Sequence, residues 1–132
     1  MTDTLSTAAR EIFAKQVLLH VASLGPEGEP HVTPVWTELD GDHVVINTAL
    51  GRAKARNLAS DARVALSLTD PDNAYTVIAI RGTVIGFTTE GSDAVIDRLA
   101  KKYLDADSYP FRREGEIRVT VTIRTDRISQ QP

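Results

Sequence analysis

The chain has 132 residues, with 15 Lys and Arg against 18 Asp and Glu for a formal net charge of −3, and 42% of it is hydrophobic. That length fits a single domain over residues 1–132 with a real core, and the acidic balance argues against a general nucleic-acid binder, which needs a basic face. The absence of cysteine removes disulfides, thiolate zinc sites and cysteine nucleophiles; with no run near the ~18 apolar residues of a membrane span and no export signal in MTDTLSTAAREIFAK, a cytoplasmic protein without a membrane partner is expected.

Leu5 to Lys15 reads as a short amphipathic helix, with Ser6 or Thr4 as cap and Ala8, Ala9, Ile12 and Phe13 at helical spacing. Gln16 to Leu24 is a short apolar run, more strand than helix, and GPEGEP after it is a turn. His31 to Leu39, HVTPVWTEL, reads as one strand, closed by the Asp40-Gly41-Asp42 hairpin signal, with HVVINTAL as the return strand. Ala53, Ala55, Leu58 and Ala59 favour a short helix. In RVALSLT, Val64, Leu66 and Leu68 alternate with Ala65 and Ser67, and DPDN makes a turn. Ala74 to Thr88 is a long β-rich run, expected to bend or bulge at Gly82.

Glu90 to Ala106 places Val95, Ile96, Leu99, Tyr103 and Leu104 on one helical face. DADSYPFRREGE is a polar loop apart from Tyr109-Pro110-Phe111. EIRVTVTIR is a strand with Ile117, Val119, Val121 and Ile123 on one face and Arg118, Thr120, Thr122 and Arg124 on the other. Six or seven strands, joined mostly by tight turns, with three short helices predict a mainly β chain: a small antiparallel barrel decorated with helices.

The sequence holds no GxxxxGK[ST] phosphate loop, no GxGxxG after a strand, no HExxH and no nucleophile elbow. His20, His31 and His43 are not spaced as metal ligands, so no metal site is expected and surface or half-buried roles suit them better. No side chain is identified as catalytic, which favours a bound cofactor that brings its own chemistry. The cationic feature is TALGRAKARNL, residues 48–58, where Arg52, Lys54 and Arg56 follow a strand end and a glycine turn. Helix starts attract anions through free N–H groups and the dipole. Within a regular helix Arg52 and Arg56 share a face and Lys54 points away. Arg52 and Lys54 can therefore meet one phosphate only if Arg52 lies in the turn, and Arg56 is the weaker candidate. The plain alternative is a solvated helix face.

R-A-K-x-R-N-L followed by D-A-R-V-A-L-S-L resembles the pyridoxamine 5'-phosphate oxidase-like split β-barrel flavoproteins, and most closely the branch that uses the deazaflavin coenzyme F420. LLHVASLGPEGEPHVTPVWTELDGDHVVINT is similar to the opening hairpins of that family, AIRGTVIGF to its central strand, and KKYLDADSYPFRREGEIRVTVTIRTDRI to its closing segment. The likeness runs from about residue 11 to 129. Ala62 departs from the family's proline after the aspartate, which touches helix termination and not chemistry.

The resemblance implies a homodimer with cofactor sites at the subunit interface. It places the cofactor phosphate on Arg52 and Lys54, with Asn57 close by. Thr33, Pro34, Val35 and Trp36 would flank one side of the ring system, and Asn47 and Thr48 its pyrimidine edge. Trp36 would pack on the ring, line the substrate pocket, or simply belong to the core. Tyr75, Tyr109, Phe111, Arg112 and Arg113 are candidates to reach the site from the partner chain. The implied activity is hydride transfer from reduced F420 to a small electron-poor acceptor such as an enone, a quinone or a tetrapyrrole. The alternatives are an FMN protein on the same barrel, or a cofactor- or haem-binding barrel without turnover.

Overall fold

Alternating apolar residues and tight turns make most of this molecule a sheet. The computed structural model describes residues 2–131. Its elements run α1 (Thr7–Phe13), β1 (Leu19–Leu24), β2 (Pro30–Val35), β3 (Glu38–Asp40), β4 (His43–Ala49), α2 (Ala53–Ser60), β5 (Arg63–Asp70), β6 (Asn73–Thr88), α3 (Ser92–Leu104) and β7 (Arg118–Gln130). The seven strands form one sheet in the order β2-β1-β5-β6-β7-β4-β3, and every neighbouring pair is antiparallel. The two edge strands, β2 and β3, are joined only through Trp36 and Thr37. Three Cα steps span at most about 11 Å, so the sheet curls until its edges meet. That produces a mainly β, antiparallel split barrel with three short helices.

Curvature comes from β6. Its register against β7 shifts between Arg81 and Gly82 and again between Val84 and Gly86. A Cβ at Gly82 would lie 2.7 Å from Ile123 Cγ2 and 2.8 Å from the Arg124 carbonyl oxygen. Only glycine lets β7 approach this closely at the bulge. Inside the curl, Leu19, Val21, Val44, Ile46, Leu66, Leu68, Ile78, Val121 and Ile123 form one buried core with Leu58 of α2. On the amino-terminal side, Ser6 caps α1 by accepting from the Ala9 N–H, and Ala9, Ile12 and Phe13 face the core. Ala8 is exposed. Among the described residues no helix is long and apolar enough to cross a membrane.

Three expectations need correction. HVTPVWTEL is not one strand but two, broken at Trp36-Thr37. Buried Thr37 replaces ladder bonds with side-chain partners: its N–H donates to the Tyr103 hydroxyl at 3.1 Å, and its carbonyl accepts from Lys102 Nζ at 2.7 Å. Leu104 sits at the frayed end of α3 and is 44% exposed, outside the apolar stripe. At the start of β7 the faces are exchanged: Ile117 is 53% exposed and Arg118 only 4%. Neighbouring Val119, Thr120 and Val121 are all buried, because β7 is an interior strand with cover on both faces, so alternation there does not separate inside from outside.

Candidate functional site

The basic stretch folds around a turn. β4 ends at Ala49, Gly51 adopts φ 93°, and Arg52 is the extended N-cap of α2 with no side-chain capping bond. A glycine suits this position because φ > 0 strains other residues. Arg52 thus lies outside the helix, in the turn. Lys54, in the first turn of α2, points inward with Asn57 and Leu58 and is buried, as they are. The two cations reach one cleft from different backbone geometries. Arg56 faces away and donates to the Gly51 carbonyl at 2.5 Å.

That cleft has a volume of about 230 Å³. Arg52, Lys54 and Arg118 line it with Asn47, Pro34, Val35 and Trp36, and Tyr109 and Phe111 form another wall. Lys54 is the electrostatic anomaly. It is 8% exposed and makes no hydrogen bond or ion pair with the described residues. Burial first, then the charges of Arg52 and Arg118, lower its pKa to about 8. A buried ammonium without an anion is costly, so the arrangement favours an anionic ligand.

Arg118 is held firmly. Its Nε donates to Asn47 Oδ1 at 2.8 Å, its Nη1 to Glu116 Oε1 at 3.0 Å, and its guanidinium carbon lies 5.1 Å from the centroid of the Tyr109 ring. Asn47 pairs directly with Thr120 across the ladder, two residues along from Arg118, so the three share one face. The Asn47 amide also donates to the Ser92 carbonyl at 2.9 Å. Its polar atoms are therefore engaged within the protein although it lines the cleft.

The aromatic wall is a relay of rings. Trp36 stacks on Tyr103 at 5.2 Å and 8° and meets Tyr109 edge-on at 6.1 Å; Tyr109 meets Phe111 edge-on at 5.7 Å. Tyr103 thus covers one face of Trp36, and Tyr109 packs against it from another side. The Tyr103 hydroxyl donates to the Val17 carbonyl at 2.5 Å. Lys102 Nζ donates to the Phe13 and Thr37 carbonyls at 2.5 and 2.7 Å, and burial lowers its pKa to about 8. This cluster fixes the corner between β2 and β3 and so fixes Trp36.

Of the sequence-derived candidates, Pro34, Val35, Trp36, Asn47, Arg52 and Lys54 line the cleft, while Thr33, Thr48 and Asn57 are absent from its lining. Asn57 anchors α2 to β1 by donating to Ser23 Oγ at 3.2 Å. Thr33 and Thr48 each carry a buried Oγ1 without a partner. Orphaned buried hydroxyls are uncommon, and both lie next in sequence to cleft residues. Tyr109 and Phe111, considered above as arms from a partner chain, reach the cleft from their own chain. Tyr75 is 86% exposed, Arg112 pairs with Asp93 and Asp97 of α3, and Arg113 is exposed. Arg118 and Glu116 were not among the sequence candidates. Their signal is that two opposite charges flank exposed Ile117 at the start of a strand, which pattern alone reads as solvent-facing.

The donor set fits a phosphate-bearing group: one unpartnered buried ammonium, two arginines and an uncapped helix start. Ligand sites of drug-like size usually enclose ~300–1,000 Å³, so this cleft suits the phosphate end of a cofactor better than a whole ring system. A larger concavity of about 630 Å³ lies on the outer face of the sheet, lined by His20, Ala22, Val32, Ala65, Ala79 and Arg81 among others. It holds no buried unpaired cation. The smaller cleft is therefore the better candidate for an anionic ligand. Among the described residues no group of three or more His, Asp or Glu is arranged to hold a metal ion.

Comparison with known proteins agrees with this fold. Among curated proteins none matches significantly. A solved structure described as an F420 reductase superimposes with a TM-score of 0.82 at 25% identity, covering 95% of this chain and 98% of that one. A conserved hypothetical protein of Mycobacterium tuberculosis gives 0.74 at 20% identity, covering 98% and 86%. An FMN-binding protein of Syntrophomonas wolfei gives 0.67 at 15% identity, covering 92% and 82%. The sequence matches the pyridoxamine 5'-phosphate oxidase family over residues 5–131, and with its curled antiparallel sheet and its cation-lined cleft the chain belongs to that family.

Proposed function

We propose that this protein is an F420-dependent oxidoreductase that holds the cofactor phosphate on Arg52 and Lys54, with Arg118 behind them. The observation that carries this is the buried Lys54 ammonium, which has no anion of its own and is flanked by two arginines. The likeness to an F420 reductase supports the deazaflavin over FMN, whose phosphate the same cations would serve equally well. For a haem reading, Tyr109 would be the one familiar axial-ligand type in the cleft lining.

When bound, reduced F420 supplies a hydride for a small electron-poor acceptor: an enone, a quinone or a tetrapyrrole. The chain's part is to bind, orient and exclude water. Arg52 and Lys54 fix the anionic end by charge-assisted hydrogen bonds. Trp36, stiffened by Tyr103 and Tyr109, sets one boundary of the ring space. Tyr109 is the candidate proton donor among the three tyrosines: it lines the cleft, whereas Tyr103's hydroxyl is committed to Val17 and Tyr75 faces solvent. The small volume of the cleft leaves the ring system to be covered by a second copy of the chain, giving a homodimer with shared sites.

Parallel calorimetric titrations of the apo protein with F420 and FMN test this. Micromolar or tighter F420 binding, with FMN much weaker, is the expected result. Preference for FMN would move the activity to flavin chemistry, and binding of neither would refute the cofactor reading.

A further inference from the structure

Among the described residues, Glu116 is the one carboxylate built into the cation cluster. It follows a turn at Gly115 with φ 75°, its N–H donates to the Arg113 carbonyl at 3.1 Å, and its side chain is 8% exposed. Its two oxygens serve two arginines unequally. Oε1 accepts from Arg118 Nη1 at 3.0 Å, and Arg118's side chain is 3% exposed and is also bonded to Asn47. Separating that pair would leave two buried charges uncompensated. Oε2 lies 3.7 Å from Arg52 Nη2, and Arg52's side chain is 50% exposed. That contact is longer than a hydrogen bond and is screened by solvent, so it is worth little.

Resting on the reading that this cleft takes a phosphate-bearing ligand, we infer that Glu116 sets the affinity of the site: its carboxylate keeps Arg118 permanently and gives Arg52 up to the incoming anion. Without a ligand, Arg52 has one acidic neighbour and Lys54 has none. With a ligand, Arg52 and Lys54 turn to the phosphate, and Glu116 neutralises the arginine behind them. A third free cation would hold the anion more tightly and release it more slowly. Glu116 therefore trades affinity for exchange of the ligand.

The test is calorimetric titration of the purified full chain with inorganic phosphate, FMN and F420, alongside melting temperatures. Glu116→Gln keeps an acceptor for Arg118 Nη1 and removes the charge. It is expected to bind about tenfold more tightly, the scale of removing one unit charge beside a half-screened anion. The two- to threefold share of that gain owed to Arg52 should vanish in the Arg52→Ala background, and the share owed to Arg118 should remain. Should Glu116→Gln fold poorly, Glu116→Asp keeps the charge within reach of buried Arg118 while its shorter side chain draws the carboxylate away from Arg52, and a two- to threefold gain is expected. Unchanged or weaker binding by a well-folded variant overturns the proposal, as does an equal gain with and without Arg52. If neither the wild type nor Glu116→Gln binds any of the three ligands, the phosphate reading itself falls. If the wild type binds and Glu116→Gln gains nothing, only the role of Glu116 falls.

Discussion

Replacing Lys54 by methionine should stabilise the ligand-free protein and destroy anion binding together. Methionine keeps the apolar stem and removes the ammonium. In the fold, Lys54 titrates near 8 rather than 10.5, chiefly because it is buried and then because Arg52 and Arg118 repel it. At 1.36 kcal/mol per unit, that shift is a penalty of about 3 kcal/mol for carrying the charge without a ligand. The folded pKa lies below the unfolded one, so between pH 8 and 10.5 the unfolded chain holds the extra proton. Stability therefore rises with pH across that window and is flat in this respect below it. Lys102, also lowered to about 8, adds a slope of the same sign, so the difference between wild type and Lys54→Met isolates Lys54. Thermal melts at pH 7 should show Lys54→Met more stable by about 1–3 kcal/mol, or very roughly 3–10 °C for a chain of this size, with the gap closing towards pH 10.5. Phosphate or FMN should raise the melting temperature of the wild type and leave the variant's unmoved. A variant that melts lower and still binds would refute the view of Lys54 as a strained ligand group.

Arg52→Ala with Lys54→Ala should weaken F420 binding by a factor of tens or more, since charge-assisted bonds contribute about 1.5–3 kcal/mol each; an unchanged dissociation constant by fluorescence titration counts against the site. Wild-type affinity should hold steady up to pH 8 and then fall up to tenfold per unit as Lys54 loses its proton, so a calorimetric profile flat to pH 10 would contradict its role. Gly82→Ala should cost about 1–3 kcal/mol in urea unfolding through overpacking, because the new methyl meets Ile123 and the Arg124 carbonyl below 3 Å. Light scattering should give a homodimer, and a monomer that binds tightly would argue against a shared site.

The fold was legible where local chemistry and global packing agree. Asp40-Gly41-Asp42 turns the β3–β4 hairpin, with Gly41 at φ 60°, and Val64, Leu66 and Leu68 alternate inward as their spacing demands. The break at Trp36-Thr37 was hidden because its cause lies at Lys102 and Tyr103, some 65 residues away in sequence. No local propensity encodes that partner. The exchange of faces at Ile117-Arg118 was hidden for a related reason: β7 lies between β6 and β4, and its first residues lie under α3 and the Tyr109 loop. Alternation reports burial only where one face of a strand is wet.

The same distinction separates the cations. Arg52, Lys54 and Arg56 lie within five residues and are equal in sequence, yet the fold gives them three different fates. Arg56 lies against the Gly51 carbonyl in solvent. Arg52 is half exposed and loosely held by Glu116, so it can change partners. Lys54 is buried with no partner, and a core position serves no structural purpose with a charge it cannot neutralise. Arg118, more deeply buried than any of them, is held through Nε by Asn47 and through Nη1 by the Glu116 carboxylate, so its charge already has a counter-ion. Charge alone therefore does not mark the site. What marks it is a buried charge whose bonding capacity the protein leaves unused, and in this cleft that is the Lys54 ammonium.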